Sequence, residues 1–369
     1  MFGVTRRVGV WAVVAVAVLW PSGGLAAAPA GGVVVYAGPN LASPPAGLTH
    51  QADALGFYPK VATIHVGETV TWQVRGFHTV TFAGPKRPYP FLGPAGGKQP
   101  TVKDAAGQPF WWSGKAPILG VSPLSILPQG GAAITSPGEI RSSGLLRIFQ
   151  STQKRPPAPY LLTFTKAGTY HYQCAVHTAM RGIVRVLPAT STTPSAATQA
   201  QVGTVELKKT VADARRLDRI KPAAKLRVSV GAGDKATGAE IAKFFPGTLS
   251  VNTGDTVTFA NNDQTDAHTV TFGPAKLRSA IEKDFVAPHG KRILVDPLGG
   301  FSSEPPGSPT VSYDGTIHGN GYLNAGVLSP KGSPANAGPQ SFRVTFSKPG
   351  TYHYECVIHS HMDGTIVVH

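Results

Sequence analysis

The chain carries the same short stretch twice, and this repeat constrains its fold more than any other feature. Residues 168–180 read Gly-Thr-Tyr-His-Tyr-Gln-Cys-Ala-Val-His-Thr-Ala-Met, and residues 350–362 read Gly-Thr-Tyr-His-Tyr-Glu-Cys-Val-Ile-His-Ser-His-Met. Each copy places a thiol, an imidazole and a thioether at Cys-x2-His-x2-Met spacing. The only two cysteines of the chain occupy the same place in the two copies. We therefore expect two units of one fold, each built around one such element.

Further matched segments extend the repeat over most of each half. Residues 57–72 match residues 244–259, residues 77–82 match 267–272, and residues 143–146 match 325–328. In the first half, residues 63–66 lead through a turn at Gly67 into residues 69–74, which alternate in polarity, and this pattern predicts two strands. Residues 78–82 predict a further strand. Charged residues are sparse, at 14%, and no long helical periodicity is present. The sequence predicts an all-β protein of two tandem Greek-key β-sandwich domains, residues 31–188 and 226–369.

Each half also carries a long insertion rich in Gly and Pro, at residues 83–159 and 273–340. Loops of this length are commonly functional or partly flexible. Trp111 and Trp112 lie in the first insertion, where we expect them to pack onto the sandwich in preference to forming a partner-docking patch. Residues 189–225 are interpreted as a linker, in which a charged stretch, 207–221, predicts a short helix that acts as a spacer.

The N-terminal residues 1–28 have the pattern of an export signal. Arg6 and Arg7 precede an apolar run at residues 8–20, and three alanines at 26–28 suit cleavage. The run is shorter than the roughly 20 residues that span a bilayer. We expect an exported protein, periplasmic, cell-surface or extracellular, without a transmembrane segment; the choice between Sec and twin-arginine export is left open.

Export affects the interpretation of the cysteines. Exported proteins usually pair their cysteines, but a disulfide here would join equivalent positions of two repeats. We therefore expect each thiol to hold a metal. The net charge of +15 serves solubility or attracts acidic redox partner proteins. Export and the lack of a basic recognition helix argue against nucleic acid as a partner, and the oligomeric state is not fixed by the sequence.

The repeated element predicts a metal site in each half. Strand alternation places Tyr170, Tyr172 and Cys174 on one face, so the thiol reaches the rim of the sandwich core. The chain then turns back and brings a histidine and a methionine towards the sulfur. A second imidazole comes from a matched upstream position. The two expected ligand sets are His78, Cys174, His177 and Met180, and His268, Cys356, His359 and Met362.

This ligand set favours copper. Two imidazoles, one thiolate and a weak thioether form the ligand field of electron-transfer copper sites, whereas zinc prefers a tetrahedral site without a long thioether contact. The methionine is followed by Arg-Gly in the first copy and by Asp-Gly in the second. With these residues the loop resembles the C-terminal ligand loop of the cupredoxins, the plastocyanin and azurin group of blue copper proteins, and is most similar to that of the amicyanins.

The resemblance covers the strands of both units but not the insertions. It implies a type 1 copper site in each unit, two copper ions per chain, and His78 and His268 as the upstream ligands. The family often has an asparagine after that histidine, where it braces the loop, but this chain has Thr79 and Thr269. The resemblance also implies that electrons enter and leave at an exposed edge of the loop histidine in each unit.

Three other functions stay open at this point. Multicopper oxidases and copper nitrite reductases are built from the same units, but they need further histidine sets and a histidine beside the ligand cysteine. Neither Cys174 nor Cys356 has a histidine neighbour in the sequence, so we expect an electron carrier without enzymatic activity. Copper storage or delivery without redox turnover is the second alternative, and a surface binding module with structural copper is the third.

Overall fold

Short runs of apolar and β-branched residues separated by glycine turns form most of the structure. The computed structural model describes residues 32–39, 51–83, 91–145, 158–177, 179–222, 224–308, 310–333 and 337–369. The predicted export signal, residues 1–28, lies outside these residues, as do parts of both insertions. Within the part that is described, the predicted all-β class is confirmed. No helix in that part is both long enough and apolar enough to cross a membrane.

The elements of the first half are mainly strands. In chain order they are β1 (Val33–Ala37), β2 (Ala52–Ala54), β3 (Phe57–Tyr58), β4 (Val61–His65), β5 (Thr69–Val74), β6 (Thr81–Phe82), β7 (Leu92–Lys98), β8 (Pro117–Val121), α1 (Pro123–Ile126), β9 (Ala133–Ile134), β10 (Arg141–Ser142), β11 (Tyr160–Phe164), β12 (Gly168–Gln173) and β13 (Arg181–Leu187).

The second half adds one long helix and a matching series of strands. They are α2 (Ala196–Leu217), β14 (Arg227–Asp234), β15 (Ala239–Phe245), β16 (Thr248–Val251), β17 (Thr256–Asn261), β18 (Thr271–Phe272), α3 (Ala275–Asp284), β19 (Val286–His289), β20 (Arg292–Val295), α4 (Pro297–Gly300), β21 (Val311–Tyr313), a 3-10 helix (Ile317–Gly319), β22 (Leu323–Asn324), β23 (Ser341–Phe346), β24 (Gly350–Glu355) and β25 (Asp363–Val368).

Four sheets form two sandwiches. The first sandwich consists of sheets β3-β1-β5-β11-β9 and β10-β6-β12-β13-β4, and the second of β2-β15-β14-β17-β23-β21 and β16-β25-β24-β18-β22. Their cores match, since Trp72 meets Tyr172 edge-on at 5.4 Å and Phe259 meets Tyr354 edge-on at 5.2 Å. Strand β2 lies between β1 and β3 in the sequence, which both belong to the first sandwich, but it pairs with β15 of the second.

The strand predicted over residues 78–82 is shorter than expected in both halves. Only Thr81–Phe82 and Thr271–Phe272 are strands. The physical reason is that the preceding amides are used elsewhere. Thr79 donates its N–H to the Sγ of Cys174, and Val80 donates its N–H to the hydroxyl of Ser143. These amides therefore do not pair with a neighbouring strand.

The two insertions pack against each other. Strands β7 and β8 of the first insertion and β19 and β20 of the second form one sheet, in the order β19-β20-β8-β7. Trp112 is buried and stacks on Phe110 at 5.1 Å and on Phe301 at 5.6 Å. The indole N–H of Trp111 donates to the carbonyl oxygen of Ser302. The tryptophans were expected to pack onto the first sandwich. They pack instead against the second insertion, because apolar residues of the two insertions form a core of their own.

Helix α2 is longer than the short helix expected between residues 207 and 221, and it contacts both sandwiches. Ser195 caps its first turn by accepting the N–H of Thr198. The hydroxyl of Tyr58 hydrogen-bonds that of Thr210 at 3.0 Å, and Thr210 donates to the carbonyl oxygen of Thr237. The segment interpreted as a spacer therefore contains a helix that packs against strands of both halves. The predicted domain boundaries remain predictions.

Candidate metal centre

The first site brings three expected side chains together in the core of the first sandwich. Cys174 follows directly on β12, is fully buried, and its Sγ lies 3.7 Å from Nδ1 of His177. Nδ1 of His78 lies 3.0 Å from Nδ1 of His177. The sulfur and the two imidazoles offer donor atoms that all lie within 4.8 Å of one another. Such a cluster has the size of the first coordination shell of a single ion.

The second site repeats this arrangement. The Sγ of Cys356 lies 3.9 Å from Nδ1 of His268 and 3.5 Å from Nδ1 of His359. His268 is fully buried and His359 is partly buried. The same residue types thus converge in both halves, and in both sites Nδ1 of the loop histidine lies within 3.7 Å of the sulfur.

The loop after each cysteine is closed by its own backbone. The N–H of Cys174 donates to the carbonyl oxygen of Met180 at 3.0 Å, and the N–H of Met180 donates to that of His177 at 2.9 Å. The second loop has the same two bonds, Cys356 to Met362 and Met362 to His359, at 2.9 and 3.3 Å. Both methionines are 1% exposed and lie in the same apolar core as their cysteine.

The threonine after each upstream histidine fixes the thiol and the loop. Thr79 and Thr269 direct their backbone N–H groups at the sulfur, at 3.4 and 3.3 Å. Their hydroxyls accept the N–H of Ala175 and of Val357, each at 2.8 Å. Threonine, in place of the asparagine usual in the family, therefore still holds the ligand loop, since its hydroxyl oxygen accepts a backbone N–H of that loop.

The protonation of both sites follows from their burial and their contacts. Burial raises the pKa of the Cys174 thiol, but hydrogen bonds from His177 and His78 outweigh this and hold it well below its usual value. The pKa of Cys356 is lowered in the same way by His268 and His359. Thiolates are the form of cysteine that binds metal ions, so both sulfurs are prepared for a cation.

Two buried carboxyl groups, Asp263 and Glu240, and the partly buried Asp266 lie beside the sites and were not anticipated from the sequence. Asp263 Oδ2 lies 3.2 Å from Nε2 of His268, so the second site's upstream histidine has a carboxylate behind it. Burial lowers the pKa of His268, but the hydrogen bonds to Asp263 and Cys356 outweigh burial and raise the pKa to about 9. Glu240 is 4% exposed, and burial together with the charges of Asp263 and Asp266 raises its pKa to about 8.

A signal for this acidic cluster was present in the repeat. Five residues lie between Trp72 and His78, whereas eight lie between the matched Phe259 and His268. The longer connection carries Asp263 and Asp266. The irregularity in the repeat therefore marked the residues that only the second half contributes.

The loop histidines do not have the freely exposed edges that the family resemblance implied. Nε2 of His177 lies 3.4 Å from Oδ2 of Asp266, a residue of the second half. Nε2 of His359 lies 3.3 Å from the same oxygen. His177 is only 7% exposed. The two histidines instead face each other across one carboxylate, because the two sandwiches meet at the ligand loops.

No protein-family model matches the chain, and no curated protein sequence matches it. Among solved structures it is similar to a methionine-to-alanine variant of amicyanin in the Cu(I) form, at 19% identity over 42% of this chain and 89% of that one, with a TM-score of 0.22. It is also similar to dithionite-reduced auracyanin from Roseiflexus castenholzii, at 16% identity over 40% and 98%, with a TM-score of 0.24.

A third similar structure is oxidised plastocyanin from Dryopteris crassirhizoma, at 22% identity over 39% of this chain and 99% of that one, with a TM-score of 0.20. These three structures are cupredoxins, the family that the ligand loops of this chain resemble.

Proposed function

We propose that the protein binds one copper ion in each sandwich and passes single electrons. The observation that carries this proposal is the pair of Cys–His–His clusters, in each of which the sulfur and two imidazole nitrogens lie within 4.8 Å of one another. Thiolate and imidazole together suit copper in both of its oxidation states. The proposed ligands are His78, Cys174, His177 and Met180 in one site, and His268, Cys356, His359 and Met362 in the other.

The chain's own residues suit this role. Strand β12, the backbone bonds of the ligand loop and the threonine brace hold the donor atoms in place, and the apolar core around each sulfur excludes water. A rigid, dry donor set keeps its geometry when the charge on the ion changes by one. When bound, copper supplies the one-electron redox chemistry. We further propose that the protein is exported and that its partners are acidic redox proteins, which the charge of +15 would attract.

The decisive experiment combines a metal count with visible and EPR spectra. Wild type is compared with Cys174→Ser and Cys356→Ser, because serine keeps the shape but not the soft thiolate. We expect two coppers per chain in wild type, with each substitution removing one blue centre. His171→Ala is the matched control, since His171 is an exposed histidine of β12 three residues from the cysteine; both centres should survive. Retention of both centres in the serine variants would refute the ligand assignment.

The same samples separate the proposal from its alternatives. Reversible one-electron reduction of both centres supports electron transfer. Copper bound without a blue band or without reversible reduction would instead indicate storage, delivery or a structural role. Consumption of oxygen or nitrite by the copper-loaded protein would indicate an enzyme.

A further inference from the structure

One carboxylate oxygen, of Asp266, contacts a histidine of each candidate site. Oδ2 of Asp266 lies 3.4 Å from Nε2 of His177, in the first site, and 3.3 Å from Nε2 of His359, in the second. Each imidazole directs its other nitrogen, Nδ1, at the cysteine of its own site. A continuous series of imidazole, carboxylate and imidazole therefore connects the two clusters.

The rest of the loop holds Asp266 in this position. Its other oxygen, Oδ1, accepts the N–H of Ala267 at 2.6 Å, and its own N–H donates to Oδ1 of Asp263. With Oδ1 engaged by the backbone, Oδ2 is directed at the two histidines. The side chain is only 19% exposed, so water has little access to the contact.

Metal binding strengthens this connection. An imidazole that binds a metal through Nδ1 carries its proton on Nε2, and a carboxylate that accepts this proton fixes the orientation of the ring. Asp266 can accept from both rings at once, because a carboxylate oxygen has more than one lone pair. Both rings are then fixed relative to one another by a single group, although they belong to different sandwiches.

We propose that Asp266 connects the two copper sites so that an electron passes between them within one molecule. The inference rests on the proposed function. One electron leaves the reduced site and reduces the oxidised site; no bond forms or breaks, the imidazole protons stay on Nε2, and the total charge is unchanged. Asp266 is a positioning residue in this scheme, since it acts through His177 and His359. The protein is therefore a two-centre relay and not two independent carriers.

The test uses Asp266→Asn in the full, copper-loaded chain. The amide keeps an oxygen for the N–H of Ala267, but its NH2 group takes the place of Oδ2 and cannot accept from the imidazoles. After a flash reduces one centre, we expect wild type to show a concentration-independent phase of electron exchange. Losing an outer contact of a metal-binding histidine typically lowers metal affinity or activity tenfold or more. The rate of this exchange phase should therefore fall by about tenfold in Asp266→Asn.

Asp284→Asn is the matched control. It makes the same chemical and charge change at an exposed carboxylate, the last residue of α3, and leaves Asp266, His177 and His359 in place. The exchange rate should stay within about threefold of wild type, a smaller change than the tenfold minimum for a broken outer contact. Equal slowing in both variants, or an unchanged rate in Asp266→Asn, overturns the role of Asp266.

A second measurement does not depend on the variants or on turnover. In fully oxidised wild type the two Cu(II) spins should show a dipolar interaction with a single distance by pulsed EPR, because one fixed carboxylate separates their ligands. Two blue coppers without that interaction would overturn the bridge and leave the proposed function intact. Absence of copper from wild type would overturn both.

Discussion

Gly231 and His268 are packed so closely that no side chain fits between them. A Cβ at Gly231 would lie 2.2 Å from Nε2 of the imidazole, and the residue has a φ of +67°, in the left-handed region that glycine favours. Gly38 stands in the same relation to His78, with a φ of +82° and a distance of 3.0 Å. In both halves a glycine thus makes room for the upstream histidine, and it lies more than 35 residues away in the sequence.

Replacing Gly231 by alanine is expected to displace His268 and to abolish the blue centre of the second site. The methyl group overlaps the ring, and because the ring is buried on all sides it has nowhere to move without leaving the cluster. The visible and EPR spectra should show one copper centre where wild type shows two.

The control for this substitution is Gly254→Ala. Gly254 has a φ of +90° but nothing within 4 Å of the new methyl group. In both variants an alanine must adopt a left-handed backbone conformation, which costs about 1–2 kcal/mol. The free energy of unfolding, measured with denaturant, should therefore fall by at least this amount in both. Only Gly231→Ala should lose copper. Loss in both would mean that global stability, and not the ring contact, is responsible.

Thr79→Val is expected to loosen the first ligand loop. Valine matches threonine in shape but removes the oxygen that accepts the N–H of Ala175, and an unsatisfied buried N–H costs about 1–3 kcal/mol. The free energy of unfolding should fall by this amount, and the blue band should shift because the loop carries His177.

Thr71→Val tests whether the lost acceptor is the cause. Thr71 lies in the same sandwich and is 1% exposed, but its hydroxyl has no hydrogen-bond partner among the residues that the structure describes. Exchanging an unpartnered hydroxyl for a methyl group should leave stability unchanged or raise it. A loss equal to that of Thr79→Val would contradict this explanation.

Gly203→Ala is expected to separate α2 from the first sandwich. The added Cβ would lie 2.7 Å from the backbone nitrogen of Pro59, and overpacking against rigid backbone costs about 1–3 kcal/mol. Helix propensity acts in the opposite direction by about 1 kcal/mol, so a net loss identifies the contact. Thr204→Ala, at the exposed neighbouring position, should change the free energy of unfolding by less than about 0.5 kcal/mol.

The contact between the insertions should depend on pH through His318. Its two ring nitrogens lie 2.8 Å from a carboxylate oxygen of Glu304 and 2.9 Å from one of Asp104. The hydrogen bond to Glu304, with that to Asp104, raises the pKa of His318 against the opposing effect of partial burial. Because the pKa of His318 is raised by folding, protonated His318 stabilises the folded state fully at a pH below its unfolded pKa of about 6.5. This stabilisation is lost as the pH rises through its folded pKa.

His318→Asn is the variant that checks this dependence. Asparagine tolerates the left-handed φ of 58° at this position and cannot titrate. Unfolding measured from pH 5 to pH 9 should show the largest deficit of the variant at low pH, with the difference shrinking as the pH rises. A difference that stays constant, or one equal to that of the exposed His289→Asn, would exclude the protonation of His318 as the cause.

Much of the fold and of each site was predictable because its signals are local. Strand alternation before Cys174 and the fixed spacing to His177 and Met180 are properties of one short segment, and its second copy doubles the evidence. The upstream histidine could be predicted as a ligand because it occupies matched positions in the two halves. The shortened strand before Thr81 was not predictable, because its amides bond to a sulfur and a hydroxyl distant in sequence.

The sequence by itself determined the two β-units, the ligand residues expected in each and the residue types that suit copper, since periodicity and spacing act within a few residues. Only the tertiary structure decided how the units meet. The sharing of Asp266 by His177 and His359, the joint sheet of the insertions and the packing of α2 against both halves join residues far apart in the chain. Such contacts depend on which faces two folded surfaces present to each other, and no local pattern encodes that choice.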